Sequence, residues 1–258
     1  MSTYHLHRVM NPNSIAVIGA SLKKGSVGAA VMENLVTGGF KGDIFPVNPK
    51  YETVMGLPVA STINDLPPHI DLCVIATPMS TIPGLLEVCA QKEIGGAVII
   101  SAGDDISKPQ GIKTAQTIKD ISLRTGLRII GPDSVGIVNT HLCLNASFMH
   151  RMPLKGKIAF LSQSGAVCTA VLDMALQENI GFSHFVSLGS MPDVCFADMI
   201  DFLGSLNEVE SIVMYVEQLS GIRNFMSAAR AVSRIKPMIA LKSGRSGSMS
   251  AVKYMATP

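Results

Sequence analysis

The sequence predicts a two-domain α/β protein, each domain a parallel sheet flanked by helices. Short apolar runs closed by small or proline-rich turns alternate with stretches of helical spacing. That alternation is the βαβ beat of a parallel sheet with right-handed crossovers. The beat breaks once, over 138–155, and then restarts. At 258 residues, 47% hydrophobic and only 16% charged, the chain is long enough for two such domains and apolar enough to bury their strands.

Residues 14–19 open the first domain with the apolar run Ile15 to Ile18. Gly19-Ala20-Ser21 then turns the chain with small side chains only, and the spacing predicts a helix over 26–37 with Gly28 at its start. A strand, a tight turn and a helix N-terminus present free backbone N–H groups and the positive end of a helix dipole, which together suit a phosphate. Lys23 and Lys24 add charge to the turn and suit a guest more anionic than a single phosphate. The spacing is not G-x-G-x-x-G and specifies no particular nucleotide; taken alone, it is also simply the first turn of an α/β domain.

Strands are predicted over 43–47, 71–76, 96–101 and 127–130, with helices over 80–91 and 109–125. The closing turns are Asn48-Pro49-Lys50, Thr77-Pro78, Ala102-Gly103 and Gly131-Pro132. Ligands of parallel sheets bind at the carboxyl ends of the strands, so these turns share one rim with Gly19. Residues 138–155 carry Asn139, His141, Asn145, His150, Arg151 and Pro153 without a period and are predicted to be the crossing between domains. In the second domain, strands are predicted over 157–161, 182–188, 211–216 and 237–241, and helices over 166–178, 195–203 and 223–234. Ser162-Gln163-Ser164-Gly165 opens the first of these helices, either as a second anion site or as a plain N-cap. Glu217 ends a strand at the corresponding rim, where a solvated carboxylate is the ordinary expectation. The tail from 247 has no period.

Composition removes several function classes. A net charge of +2, without a basic run or aromatic-basic interleaving, argues against nucleic acid or an anionic membrane surface as partner. No apolar run approaches the ~20 residues of a membrane span, and the N-terminus MSTYHLHRVM lacks the apolar core of a signal peptide. The five cysteines (Cys73, Cys89, Cys143, Cys168, Cys195) are scattered and never spaced as CxxC. They read as buried thiols in a reducing, cytoplasmic setting, with neither a disulfide frame nor a metal site.

The end of the second strand bears on the nucleotide class. NAD-binding folds place an acid there to hold the ribose hydroxyls. Here Val47-Asn48-Pro49-Lys50 offers a lysine, which suits a phosphate on the ribose, although on residue type alone Lys50 is equally a surface lysine. A ribose phosphate plus a pyrophosphate describes coenzyme A or NADP. Ala76-Thr77-Pro78 and Ser101-Ala102-Gly103 offer small side chains and backbone polar groups across which an extended pantetheine arm can lie. NADP accounts for the first domain, as in an NADP-dependent oxidoreductase, but leaves the SQSG loop and the second α/β unit unexplained.

Several short motifs now fall in order: GAS, PVNPK, ATP, ISAG, GPDSVGIVN, SQSGAV, DVCFADMIDFL, MYVE and LKSGRS. In this order, from about residue 11 to 246, they resemble the NDP-forming acyl-CoA synthetases, relatives of the succinyl-CoA synthetase α subunit. The resemblance implies a Rossmann-like CoA-binding domain over 1–145 and a flavodoxin-like ligase domain over 146–258, truncated at its C-terminal end. It implies the reaction acyl-CoA + NDP + phosphate to acid + CoA + NTP, with a small carboxylic acid as acyl substrate. A histidine carries the phosphoryl group to a nucleotide on an ATP-grasp domain or β-type subunit, and the family's usual assemblies accord with a homo-oligomer. By position, CoA contacts fall on Gly19, Ala20, Ser21, Lys23, Val47, Asn48, Pro49, Lys50, Ala76, Thr77, Pro78, Ser101, Ala102 and Gly103. Ser162, Gln163, Ser164 and Gly165 correspond to the phosphate loop, and Glu217 to the glutamate that holds the histidine ring.

The sequence departs from that pattern at the phosphate. No histidine follows His184, and Ala256-Thr257-Pro258 stands about where the family's histidine triplet belongs. His5 and His7 lie in a start without predicted structure, and the other histidines fall near or within strands and in the crossing. Asp133-Ser134 replaces a common Asn-Cys, Ser190 a frequent Asn and Cys195 a common acid. A phosphoryl relay needs its nucleophile, so this chain is expected to bind CoA or acyl-CoA without turning over alone. The same departures accord with an alternative, the degenerate CoA-sensing region that some protein lysine acetyltransferases carry.

Overall fold

The computed structural model describes residues 3–101, 109–243 and 253–255. The chain opens on a short helix α1 (Leu6–Met10), where the sequence predicts no structure. Leu6, Val9 and Met10 recur on one face and are fully or almost fully buried, which is enough to hold a five-residue helix by packing. Then follow β1 (Ser14–Ile18), α2 (Val27–Thr37), β2 (Asp43–Val47), the two-residue strands β3 (Thr53–Val54) and β4 (Leu57–Pro58), β5 (Leu72–Ile75), α3 (Ile82–Gln91), β6 (Gly96–Ile99), α4 (Pro109–Thr125) and β7 (Arg128–Ile130). Five of these strands form a parallel sheet in the order β2-β1-β5-β6-β7. The order reverses direction at β1, a topological switch point, and the first turn lies beside it.

The predicted crossing is corrected by the structure. Residues 136–147 form a hairpin, β8 (Gly136–Asn139) and β9 (Leu144–Ser147), with both strands fully buried. Its polar residues hide the strand period because each is satisfied inside. Asn139 Nδ2 donates to Met10 O at 3.1 Å and Asn11 Oδ1 at 2.8 Å, and Ser147 Oγ donates to Asn145 Oδ1 at 2.5 Å. After it come β10 (Leu154–Ser162), α5 (Gly165–Gln177), β11 (Gly181–Ser187), α6 (Phe196–Gly204), β12 (Ser211–Val216), α7 (Ile222–Val232), β13 (Met238–Lys242) and β14 (Lys253–Met255). The second sheet has the order β14-β13-β12-β10-β11-β8-β9, parallel through its middle and antiparallel at both edges.

The two sheets share a core. One buried cluster runs from Leu6, Met10, Met32 and Leu35 through Ile137, Leu144 and Ala146 to Val186, Phe196 and Met214. Polar ties reinforce it. Asn34 on α2 donates from Nδ2 to Ser147 O and Met149 O, both at 2.8 Å. Arg128 on β7 pairs with Asp193 at 3.1 Å and Asp198 at 3.5 Å, all three largely buried. These ties join α2 to the end of β9 and the start of β7 to the start of α6.

Candidate functional site

The first rim is built by packing before any ligand arrives. Gly19 has φ +91°, and a Cβ there would lie 2.8 Å from Ala76 O. A Cβ on Gly28 would lie 2.0 Å from Gly19 O, so α2 starts in direct contact with the turn. That contact brings the positive end of α2 to the turn and leaves no side chain between helix and guest. Ser26 caps α2, accepting from Ala29 N at 3.3 Å, and its Oγ donates to Lys23 O at 2.8 Å. Ser21 Oγ accepts from Lys23 N at 3.0 Å and stands 3.5 Å from the Tyr51 hydroxyl. The side chains of Lys23 and Lys24 are exposed.

The second turn is tied to the first. Asn48 Nδ2 donates to Ala20 O at 2.7 Å, and its Oδ1 accepts from Lys50 N at 3.0 Å. Both ends of the Asn48 amide are therefore used within the protein, as a staple between the turns. Val47 is buried, its carbonyl accepting from Gly19 N at 2.9 Å, while Pro49 and Lys50 are exposed at the same end. In the third turn, Ala76 N donates to Ile18 O at 2.8 Å, Thr77 Oγ1 lies 2.8 Å from Thr81 Oγ1, and Pro78 is exposed. Ser101 Oγ donates to Thr77 O and joins the fourth turn to the third. Ala102 and Gly103 lie outside the described residues.

At the second loop, Ser162 is fully buried and its Oγ is engaged within the loop. It donates to Ser164 O at 2.9 Å and accepts from Ser164 N at 3.0 Å. Ser164 caps α5 through Val167 N at 3.4 Å, and Gly165 is the first residue of the helix. Gln163 has a part that residue type does not reveal. Its Oε1 accepts from Glu217 N at 2.6 Å and Gln218 N at 2.8 Å, fixing the Glu217 turn to the SQSG loop. Glu217 itself is exposed.

The third and fourth turns and the start of α5 line one cavity of about 790 Å³, with Gly165 the one described residue of the SQSG loop among its lining. Thr77 and Ser101 enter it from the first rim, Gly165 and Thr169 from α5, and Asp133 and Phe148 from between. Phe148 follows β9, in the segment that reads as a crossing, so no sequence period points to it. Two of the departures from the family pattern, Asp133 and Ser190, are linked, and a third, Ser134, bonds to the neighbouring strand. Ser190 Oγ donates to Asp133 Oδ2 at 2.8 Å, and Ser134 Oγ donates to Ser187 O at 2.6 Å. Cys195 replaces an acid yet keeps a cap: Asp198 Oδ2 accepts from Cys195 N at 3.1 Å and stands 3.2 Å from Cys195 Sγ, and burial raises the thiol pKa.

The described histidines sit in other settings. His184 is fully buried on β11, and burial lowers its pKa to about 4. Neither of its ring nitrogens has a hydrogen-bond partner among the described residues. His150 pairs with Asp173 at 2.9 Å, and His141 Nε2 lies 3.3 Å from Gly156 O. His5, at the start of α1, has its pKa lowered by burial and then by Arg8 and Arg128. Among the described residues no three His, Cys, Asp or Glu side chains converge on a metal position, and no helix is long and apolar enough to cross a membrane.

Residues 13–140 match the family described as CoA binding domain, and residues 155–257 the family described as succinyl-CoA ligase like flavodoxin domain. The chain belongs to the NDP-forming acyl-CoA synthetase family. It is 43% identical over 242 residues to an ADP-forming acetate–CoA ligase of Methanocaldococcus jannaschii, covering 94% of this chain and 34% of that protein. With the α subunit of the ADP-forming acetate–CoA ligase II of Pyrococcus furiosus it shares 39% identity, over 93% of this chain and 52% of that one. The solved structure of the dinucleotide forming acetyl-coenzyme A synthetase 1 of Ca. Korarchaeum cryptofilum, in complex with phosphate and ADP, superposes with a TM-score of 0.89 at 33% identity, covering 93% of this chain and 52% of that one. The chain thus spans between about a third and a half of these relatives.

Proposed function

We propose that the rim Gly19–Ser21, Lys23, 47–50, 76–78 and 101–103 holds coenzyme A or an acyl-CoA, and that the chain is the α-like portion of an NDP-forming acyl-CoA synthetase. The carrying observation is the joining of the first two turns. The start of α2 is pressed on Gly19, and Asn48 staples Ala20 to the Lys50 turn. A diphosphate at the α2 N-terminus and a ribose phosphate near Lys50 then fit one ligand, and no carboxylate in that turn repels the second phosphate. The pantetheine arm runs past Thr77 and Ser101 into the cavity beside α5, where the thioester meets the SQSG loop. Coenzyme A supplies a thiol that carries the acyl group. The protein's own share is to orient that thioester toward the helix N-terminus and, through Gln163, to hold the Glu217 turn in register with it.

Phosphoryl transfer then draws on groups beyond those in hand: a histidine carrier, and a nucleotide site on an ATP-grasp domain or β-type subunit. This chain by itself binds the thioester and does not turn it over. Isothermal titration with CoA, 3′-dephospho-CoA and NADP tests the binding. CoA is expected to bind at least about tenfold more tightly than dephospho-CoA, the usual worth of a charge-assisted phosphate contact. NADP binding without CoA binding overturns the proposal. Thioester formation by the isolated chain from acid, CoA and NTP overturns the inactivity.

A further inference from the structure

The cavity beside α5 bears on the acyl group, an inference that rests on the CoA site proposed above. Two large apolar side chains open onto it instead of into the core: Phe148 is 39% exposed and Val27 38%. Ser147 and Met149, on either side of Phe148, are fully or almost fully buried, so Phe148 is the one side chain of the three turned outward. We infer that Phe148 forms the wall of an acyl subsite, and that this chain takes acyl groups with an apolar body, branched or aromatic, in preference to acetyl.

The ring stands on a pinned backbone. Asn34 Nδ2 on α2 donates to Ser147 O and to Met149 O, both at 2.8 Å, one on each side of Phe148. Phe148 N donates to Val135 O at 3.1 Å, and His150, two residues on, pairs with Asp173 of α5 at 2.9 Å. Val135 in turn is pressed on the start of α5, where a Cβ on Gly165 would lie 2.6 Å from Val135 Cγ2. The α5 N-terminus, Val135 and Phe148 are therefore successive neighbours along the cavity wall. A pantetheine arm that enters past Thr77 and Ser101, with its thioester at the α5 N-terminus, carries its acyl carbons on toward Val135 and Phe148. Each carbon laid on that wall takes apolar surface out of water on both partners. An acetyl group offers a single methyl for this, whereas an aromatic acyl group offers a whole ring for offset or edge contact with Phe148. Because the wall is already fixed, little ordering offsets the gain.

Titration of the 258-residue chain with CoA, acetyl-CoA, isobutyryl-CoA and phenylacetyl-CoA tests this. The readout is the ratio of affinities within each protein, so a general change in CoA affinity cancels. In the wild-type chain phenylacetyl-CoA is expected to bind about tenfold or more tightly than acetyl-CoA, with isobutyryl-CoA between them. Phe148→Ala should cut the phenylacetyl-to-acetyl ratio to about threefold or less and leave CoA itself within about twofold, because the lost ring meets the acyl group and not the pantetheine. Phe148→Leu should keep the isobutyryl preference and lose most of the phenylacetyl one. A wild-type chain that binds acetyl-CoA most tightly overturns the inference even if a variant fails to fold. An unchanged ratio in a folded Phe148→Ala protein overturns it as well, and so does an equal loss for CoA and all its thioesters, which would put the ring on the pantetheine. CoA binding with a flat acyl series refutes the acyl subsite alone, whereas no binding of any of the four refutes the CoA site and this inference together.

Discussion

Gly28→Ala is the sharpest probe of the first rim. The added methyl would stand 2.0 Å from Gly19 O and 3.0 Å from Gly19 C. A carbon and a carbonyl oxygen need more than an ångström beyond that distance, and both are backbone-bound, so no rotamer relieves the clash. Either α2 lifts from the turn or Gly19 leaves its φ of +91°. Overpacking of this kind costs about 1–3 kcal/mol. For a chain of this size that lowers the melting temperature by roughly 2–4 °C per kcal/mol. Lifting α2 also withdraws its N-terminal N–H groups from the diphosphate, so CoA affinity should fall by about tenfold or more. Calorimetric melting and CoA titration of the same preparation measure both. A Gly28→Ala protein that melts with the wild type and binds CoA equally would refute the pressed turn as the basis of the site.

Gly84→Ala is the matching control: Gly84 is exposed in α3 with nothing within 4 Å of an added Cβ, and the change should stabilise by about 0.5–1 kcal/mol in a thermal melt. His184 binds its proton more weakly when folded, about 4 against 6.5 unfolded. The unfolded chain therefore takes up more protons in that window, and stability should be full above about pH 6.5 and decline as the pH falls toward 4. His184→Leu should flatten that decline in urea midpoints measured across the window, with little loss at neutral pH because the ring nitrogens have no hydrogen-bond partner among the described residues. Gln163→Ala should speed amide exchange at Glu217 and Gln218 and cost about 1 kcal/mol, whereas Gln163→Glu keeps an acceptor and should protect both amides.

Strand and helix positions in both sheets were legible because parallel strands are uniformly apolar and their turns are chemically marked. Asp43–Val47, Pro109–Thr125 and Ser211–Val216 match their predicted bounds. The β8–β9 hairpin was not legible: buried Asn139, Asn145 and Ser147 break its pattern, and their partners are more distant in the chain or depend on the folded turn. Residue type placed the rim turns in common but could not assign tasks within them. Asn48 reads as a ligand contact, yet both ends of its amide are bonded to backbone. Ser162 reads as a phosphate donor, yet its hydroxyl is buried and spent on Ser164. Gln163 joins two loops 54 positions apart, a pairing that appears only once the strands are side by side.

The hydrophobic cluster common to both sheets limits how a guest can be captured. Enzymes that close like jaws need a joint that bends cheaply, but swinging these two halves apart would pull Met10 and Leu35 from Leu144 and Ala146 and expose greasy surface to water. The cavity beside α5 is thus walled by elements that share one core.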